Sequence, residues 1–511
     1  MNTKSRTLNS VKNATVTVLC QIVSLVFSFV TRTIFIGSLG TDYLGINGLY
    51  SNILTVLSMA DLGIGSAIAF AMYKPVRNKD EREISKLMNF YKRLYNFIAL
   101  GVAAVGLCIV PFLDKLVKTD RTIDNRQLII YYLLFLANSV ISYLFAYKAT
   151  MLYADQNTYI VRIFNTLFIV VANIGELVAL KLTGNYIAYL SVQLICTFLN
   201  NIIIAIIVDK KYSFIKKYSD KLEKEKKNSI FSNVKCMFFY KIGGVIVNNT
   251  DNILISSIIS TTITGFYSNY TLIVNAVLQF ADYILSSIVG SIGNLNADDN
   301  RKQSEKVFDS LTLMNFWIFG FSSAMLFALI DDFIILWLHN ENFLLGTATL
   351  IAIVGNLFFT GIMRSMASFR ETTGIFRQTR YIFAFTSVLN IALSVILGKA
   401  VGLCGILFAT LISKALTCFW YEPYILYKYF FKASSLKYFI RQFLFIFSEI
   451  AVCAVIYFVK QILPPLSIGT FLLEAVIAAA VFNIFFFAEF GFSKEFKFII
   501  KKIKFLISHK A

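Results

Sequence analysis

"GINGLYSNILTVLSMAD", residues Gly45–Asp61, returns as "GFYSNYTLIVNAVLQFAD", residues Gly265–Asp282, with a one-residue gap. The echo extends beyond this stretch. "FAYKATMLYADQNTYI" (Phe145–Ile160) and "SFRETTGIFRQTRYI" (Ser368–Ile382) also align, 222 residues apart. Tyr147-Lys148 then falls on Phe369-Arg370, Gln156 on Gln378, and Tyr159-Ile160 on Tyr381-Ile382. Val11-Lys12 precedes one apolar run as Val234-Lys235 precedes another. Self-similarity at a fixed distance marks a duplicated unit.

The duplicated unit is apolar. Of 511 residues 57% are hydrophobic and 15% charged, with a mean hydropathy of +0.69. Water-soluble chains carry about 25% charged residues, so this composition belongs to a multispanning membrane protein. A bilayer crossing takes about 20 apolar residues as a helix. The pattern predicts fourteen such segments: about 14–38, 43–73, 94–113, 127–153, 159–181, 185–208, 234–259, 264–294, 311–338, 344–373, 378–398, 401–424, 440–462 and 467–490. Spans one to six match spans seven to twelve. Six is even, so the halves have the same orientation and form a parallel repeat. The expected organisation is an N-lobe at 1–208, a basic linker at 209–233, a C-lobe at 234–427, two extra spans within 428–490, and a tail at 491–511. The fold class is all-α integral membrane.

Lysine and arginine orient the chain. They crowd the start (Lys4, Arg6, Lys12), the loop around Lys74–Arg93, the linker and the tail. The loops between these are short and nearly uncharged, such as "SLGTD" and "STTITG". One loop dissents, with Lys115, Lys118, Arg121 and Arg126 diluted by Asp114, Asp120 and Asp124. The bias predicts both termini in the cytoplasm of a cell-membrane protein. "MNTKSRTLNSVKN" lacks a small-residue cleavage site and reads as a start, not a removable signal. The net charge of +19 then reflects anionic membrane lipids as partners, not nucleic acid. In the tail, Phe496, Ile499, Ile500, Ile503 and Leu506 share one helical face, which predicts a helix lying in the inner interface. The linker's Tyr212, Phe214, Ile215, Tyr218 and Leu222 predict a second such helix. All five prolines are expected at or near segment ends.

"YLGINGLYSNILTVLSMADLGIGSAIAFAMYKPV" (Tyr43–Val76), with Ala-Asp-Leu-Gly-Ile at Ala60–Ile64, resembles the second-span motif of polysaccharide-biosynthesis flippases of the O-unit and capsule type. These share a superfamily with lipid II flippases and multidrug exporters of the MATE type. The resemblance implies two six-helix bundles around a central cavity, rocking between inward-open and outward-open states. It implies a polyprenyl-pyrophosphate-linked oligosaccharide as substrate, in capsule, exopolysaccharide or envelope-glycan export. Other glycan-assembly membrane proteins are its implied partners. In the second repeat "YIL" follows Asp282 where "LGI" follows Asp61, so the motif is asymmetric there.

Ionisable side chains within the hydrocarbon cost several kcal/mol and need a cavity, a partner or an escape to the interface. Lys148 and Arg370 sit near the inner ends of spans four and ten. Two readings compete: snorkelling to the headgroups, or a pair of cations that catches the pyrophosphate. Arg364, six residues deeper, suits a phosphate through its guanidinium fork; Lys414 in span twelve is a further cavity cation. Arg32 in span one is a further candidate cation of the cavity; it and Asp251 in span seven lie at comparable depth, which suggests a gating pair. The alternative is an Arg reaching the surface and an Asp bound to nearby polar groups. Asp61 and Asp282 are candidate lobe contacts, and Asp61 could instead cap a local helix break. Glu176, Glu449 and Glu474 read as near-interface or packing groups. Tyr43, Tyr50, Tyr267 and Tyr270 lie where the resembled family lines its cavity, and sugar stacking is their implied role; an interfacial belt is the alternative.

Nothing points to catalysis. The two histidines, His339 and His509, stand apart. The sequence lacks H-E-x-x-H, G-x-S-x-G and G-x-x-x-x-G-K-[ST], and its seven cysteines follow no metal spacing. No metal, cofactor or catalytic residue is therefore expected. A membrane polymerase or ligase would need a large charged outer loop, and the outer loops here are short. A MATE-type small-molecule exporter is the other alternative; its pocket would favour acidic groups.

Overall fold

Helix-ending and helix-starting residues stand back to back along this chain, which makes tight hairpins between long apolar helices. Gly184 takes the left-handed conformation that ends one helix, and the Asn185 side chain accepts from the Ile187 N–H to begin the next. Asp80 caps in the same way through Glu83, and Ser467 forms a capping box with Thr470. The computed structural model describes residues 3–58, 64–118, 123–155, 157–218, 220, 222–228, 230–231, 234, 249–297, 301–373, 375–464 and 466–508. Those residues are overwhelmingly helical, and eleven of the helices are long and apolar enough to cross a membrane.

The described helices follow the expected spans in order, most of span seven lying outside the described residues. They are α1 (Thr3–Leu39), α2 (Thr41–Leu57), α3 (Ile64–Asn78), α4 (Glu81–Ile109), α5 (Leu113–Leu116), α6 (Asn125–Ala154), α7 (Thr158–Thr183), α8 (Tyr186–Lys211), α9 (described over 249–259) and α10 (Thr261–Ala297). Then come α11 (Arg301–Leu338), α12 (Thr347–Ile362), α13 (Arg364–Thr373), α14 (Phe376–Val401), α15 (Leu403–Leu416), α16 (Cys418–Leu426), α17 (Leu436–Lys460), α18 (Ile468–Phe490) and α19 (Lys494–Ser508). Span two corresponds to α2 and α3, span ten to α12 and α13, and span twelve to α15 and α16. Helical chain continues from Leu403 to Phe431, so Pro423, expected at a span's end, lies inside α16 instead.

The chain forms two compact units, Met1–Gly265 and Phe266–Ala511. In the first, α6 packs against α4 and α8, and α7 lies against α1 and α8. Its core is rich in tyrosine: Tyr50, Tyr132 and Phe135 meet edge to face, as do Tyr131 and Tyr186. In the second, α11 is the central helix, contacting α12, α17, α18 and α19. Phe316 and Phe445 stack parallel at 4.2 Å, with Phe482 and Phe486 around them. The two C-terminal spans are thus held by aromatic packing onto span nine.

One amphipathic expectation changes. The linker is not an interfacial helix: a short turn, Ser213–Lys216, docks on α4. Ser85 Oγ donates to the Phe214 carbonyl and Asn89 Nδ2 to that of Tyr218. Arg82 pairs with Asp220 at 2.6 Å and Lys226 with Glu83 at 2.8 Å. Tyr212, Ile215 and Leu222 are consequently buried in protein. The tail helix α19 also spends apolar surface on protein, Phe496 and Ile499 packing on the Phe316 cluster. Arg441 ties it down through Glu495. Burial pushes the Glu495 carboxyl up, but backbone hydrogen bonds and Arg441 outweigh it and hold the group below its ordinary value. The side chains of Ile503 and Leu506 lie outside the described residues.

Candidate functional site: interrupted helices carrying cations

In the second unit the helix of span ten is interrupted at Met363, and that of span twelve at Thr417, whose φ of −123° and ψ of −87° are not helical. Interrupted helices free backbone groups at membrane depth, which is tolerated only where protein or a polar cavity satisfies them. Around Thr417 polar side chains surround the break. Thr417 Oγ1 donates to the Ser413 carbonyl at 2.6 Å and shares a 2.7 Å hydrogen bond with Thr386 Oγ1. Asn390 Nδ2 donates to Thr410 Oγ1, and Asn356 Nδ2 to the Leu407 carbonyl.

Each interruption carries a cation named above. Arg364 opens α13 and pairs with Asp282 of α10; both side chains are partly exposed, at 33% and 50%. The Arg364 Nε–H is buried with no hydrogen-bond partner, so the guanidinium keeps one donor beyond the ion pair. Lys414, in the last turn of α15, donates to Thr360 Oγ1 at 3.2 Å. Thr360 stands four residues before Arg364, so both cations border one stretch of span ten. Asp282, expected at a lobe contact, thus has its charge partner within its own unit.

The structure separates the other candidates. Lys148 and Arg370 neither snorkel nor stand open: each is buried and paired across a helix interface, Lys148 with Asp209 and Arg370 with Glu422. Neither carboxylate stands out in the sequence. Asp209 follows Val208 at the basic end of α8, and Glu422 lies in an aromatic run. The available signal was that both close the sixth span of their repeat.

Arg32 lies beside Tyr189 of α8, which shares a hydrogen bond with Glu176, and its neighbour Thr31 donates to Asn173 Oδ1 at 2.7 Å. Asp251 is buried on α9. Asp61 and Gln156 lie outside the described residues. Tyr50 and Tyr270 do not present faces to a ligand: both are 0% exposed. Tyr50 donates to the Leu128 carbonyl at 3.2 Å, and Tyr270 to Asp331 at 2.5 Å. Tyr43 packs on Tyr131 and Tyr186; Tyr267 is half-buried. No cluster of metal-ligating side chains occurs among the described residues.

The start of α10 supplies a further feature of the first unit. A Cβ on Gly45 of α2 would lie 1.8 Å from the Thr261 carbonyl oxygen, and one on Gly265 would lie 2.4 Å from that of Thr41. These contacts are equivalent under the 220-residue displacement that relates Thr41 to Thr261 and Gly45 to Gly265. Thr262 Oγ1 donates to Asp42 beside them, at 2.5 Å.

Solved structures share this helical arrangement. The lipid II flippase MurJ in an inward closed conformation is 17% identical with a TM-score of 0.66, covering 94% of this chain and 99% of its own. A multidrug resistance MATE family transporter of the MOP superfamily, inward-facing, is 15% identical with a TM-score of 0.62, covering 81% and 98%. An outward-facing conformation of such a transporter is 12% identical with a TM-score of 0.53, covering 81% and 95%. At these identities the likeness shows the fold, that of MOP transporters. No curated protein matches the chain. The sequence family named "Polysaccharide biosynthesis protein" matches residues 10–289, more than half the chain, and this membrane protein belongs to that family.

Proposed function

We propose that the protein is a flippase. It carries a polyprenyl-pyrophosphate-linked oligosaccharide from the cytoplasmic to the outer leaflet by alternating access, for capsule, exopolysaccharide or envelope-glycan export. Two parallel six-span repeats form its moving parts, in a cell membrane with both termini inside. Family membership supports the substrate class. The observation that carries the site is Arg364: a partly exposed guanidinium at a helix interruption, with one buried donor unspent. Discontinuous helices are where transporters of this kind hold charged groups. Taking a pyrophosphate through hydrocarbon costs tens of kcal/mol by ion solvation, and a guanidinium fork offsets much of that through paired hydrogen bonds. Asp282 holds the fork in place until phosphate oxygens compete for it, and Lys414 adds a second positive charge. Lys148 and Arg370, buried against carboxylates, stand outside the headgroup contact in this reading.

The test is export in a strain lacking its own glycan flippase. Arg364→Gln should accumulate lipid-linked glycan on the cytoplasmic face at normal protein level, and Arg364→Lys should retain part of the export. Wild-type export by Arg364→Gln would refute the site. The fold likeness to MATE transporters favours a second reading, small-molecule export. Drug resistance that requires Asp282 but tolerates Arg364→Gln would select it.

A further inference from the structure

The repeated cations raise a question that headgroup binding leaves unanswered, because both are buried and both already have an anion. Lys148 reaches from α6 to Asp209 of α8, and Arg370 reaches from α13 to Glu422 of α16. In repeat terms each pair joins the fourth span to the sixth. The cations are 222 residues apart and the carboxylates 213, so the pairing recurs although the offset between the repeats has drifted. An aromatic ring accompanies each cation: Phe383 lies 4.6 Å from the Arg370 guanidinium carbon, and Tyr147 lies 5.5 Å from Lys148 Nζ.

A charged side chain near a span's end has a low-cost route to water by extending along the helix. Both cations forgo that route and cross sideways to a neighbouring helix. Desolvating two charges is expensive and is repaid only by close pairing with each other. A buried pair of this kind fixes which helices adjoin, and at which height.

We infer that Lys148–Asp209 and Arg370–Glu422 are one duplicated charge clamp, fastening the fourth helix to the sixth at the inner end of each repeat so that this end moves as one body. The clamp is internal to each bundle and needs no substrate, so it is testable on the purified full-length protein. The two copies differ in exposure. Arg370 and Glu422 are sealed at 6% and 4%, whereas Asp209 is 26% exposed beside Lys148 at 9%. Water can therefore take over part of the solvation of Asp209 when its partner is lost, but not that of Glu422.

The experiment compares single and paired apolar substitutions by thermal unfolding in one detergent, with membrane accumulation as a second readout. Arg370→Met alone should lower the melting temperature by on the order of 10 °C or prevent accumulation, because it strands a buried carboxylate. Lys148→Met should do the same less severely. The paired variants Arg370→Met with Glu422→Leu, and Lys148→Met with Asp209→Leu, should recover most of the loss, since an apolar pair replaces a buried ion pair at little cost. Paired variants no better than the worse single one would overturn the clamp, as would single variants that melt with the parent. Single variants that fail to accumulate leave the paired ones to decide.

Discussion

Replacing Gly45 with alanine adds one methyl group where the structure has no room. The new carbon would stand 1.8 Å from the Thr261 carbonyl oxygen and 2.7 Å from its carbon, whereas ordinary contact needs about 3.4 Å. The helices must therefore separate by roughly 1.6 Å at that point, and interiors packed as densely as crystals do not absorb such a shift locally. The two nearest atoms are backbone, so a turn of the Thr261 side chain, whose Cγ2 is third at 2.8 Å, would not relieve the clash. Thr261 is itself tethered, its N–H donating to the Lys118 carbonyl at 2.6 Å. Overpacking of this kind costs about 1–3 kcal/mol, and a rigid backbone neighbour puts Gly45→Ala at the upper end. Gly265→Ala meets the Thr41 carbonyl at 2.4 Å, a shortfall of only about 1.0 Å, and should cost less. The Asp42–Thr262 hydrogen bond shares the crossing and should weaken in both. Thermal unfolding of the purified variants reads the order directly. A shift of about 2–4 °C per kcal/mol is expected for chains of this class. Gly37→Ala, where a Cβ would meet nothing within 4 Å, is the control. If Gly45→Ala and Gly37→Ala melt together, the close crossing of α2 and α10 is refuted.

Tyr50→Phe should cost about 1 kcal/mol and Tyr270→Phe about 1.5–3, because the second leaves a carboxylate without its donor; both should keep glycan export, and loss of export without loss of stability would restore them as ligand contacts. Exchanging Arg32 and Asp251 should recover export lost by either alanine variant if the two form a gate; a swap no better than the worse single variant would leave Arg32 to the Tyr189–Glu176 group. Docking of α19 should weaken in acid. The folded Glu495 carboxyl titrates below its ordinary value, so its contribution is complete above that value and disappears as the pH falls through the folded one. Protease cleavage among Lys494, Lys497 and Lys501, measured against pH, should rise at the acid end only, and a pH-independent rate would refute the Arg441–Glu495 tether.

The helical segments, eleven of them long and apolar enough to cross a membrane among the described residues, were readable in the sequence because the bilayer imposes a length and a composition on each of them. Interruptions within spans ten and twelve were not readable. Neither site has a proline at the interrupting residue, Met363 or Thr417, and at the second the polar side chains around the break, Thr386, Asn390 and Asn356, come from other helices. The amphipathic linker was unreadable for a related reason. One apolar face fits a membrane interface and a protein groove equally well, and the periodicity of 212–222 or 496–506 carries no information about which one is near. What decided for the linker was Ser85, Asn89 and Arg82 on α4, more than a hundred residues earlier in the chain.

The repeat was legible in cations and illegible in their partners, and this asymmetry has a physical origin. A lysine or arginine interrupting an apolar run is conspicuous, so Lys148 and Arg370 align at a glance. Asp209 precedes Lys210 and Lys211 at a helix end, where an acidic residue looks solvated, and Glu422 sits in "FWYEPY", which aligns with nothing in the first repeat. Yet a buried cation without an anion is the costlier state by far. A fully buried cation such as Lys148 or Arg370 therefore predicts a carboxylate one helix neighbour away, even where no motif marks it. Applied to Arg364 the same rule leads to Asp282, which the sequence alone marks only as a candidate lobe contact. Charge, on this argument, is duplicated in pairs even when the sequence preserves only one member's position, and the pair, not the residue, is the unit to align.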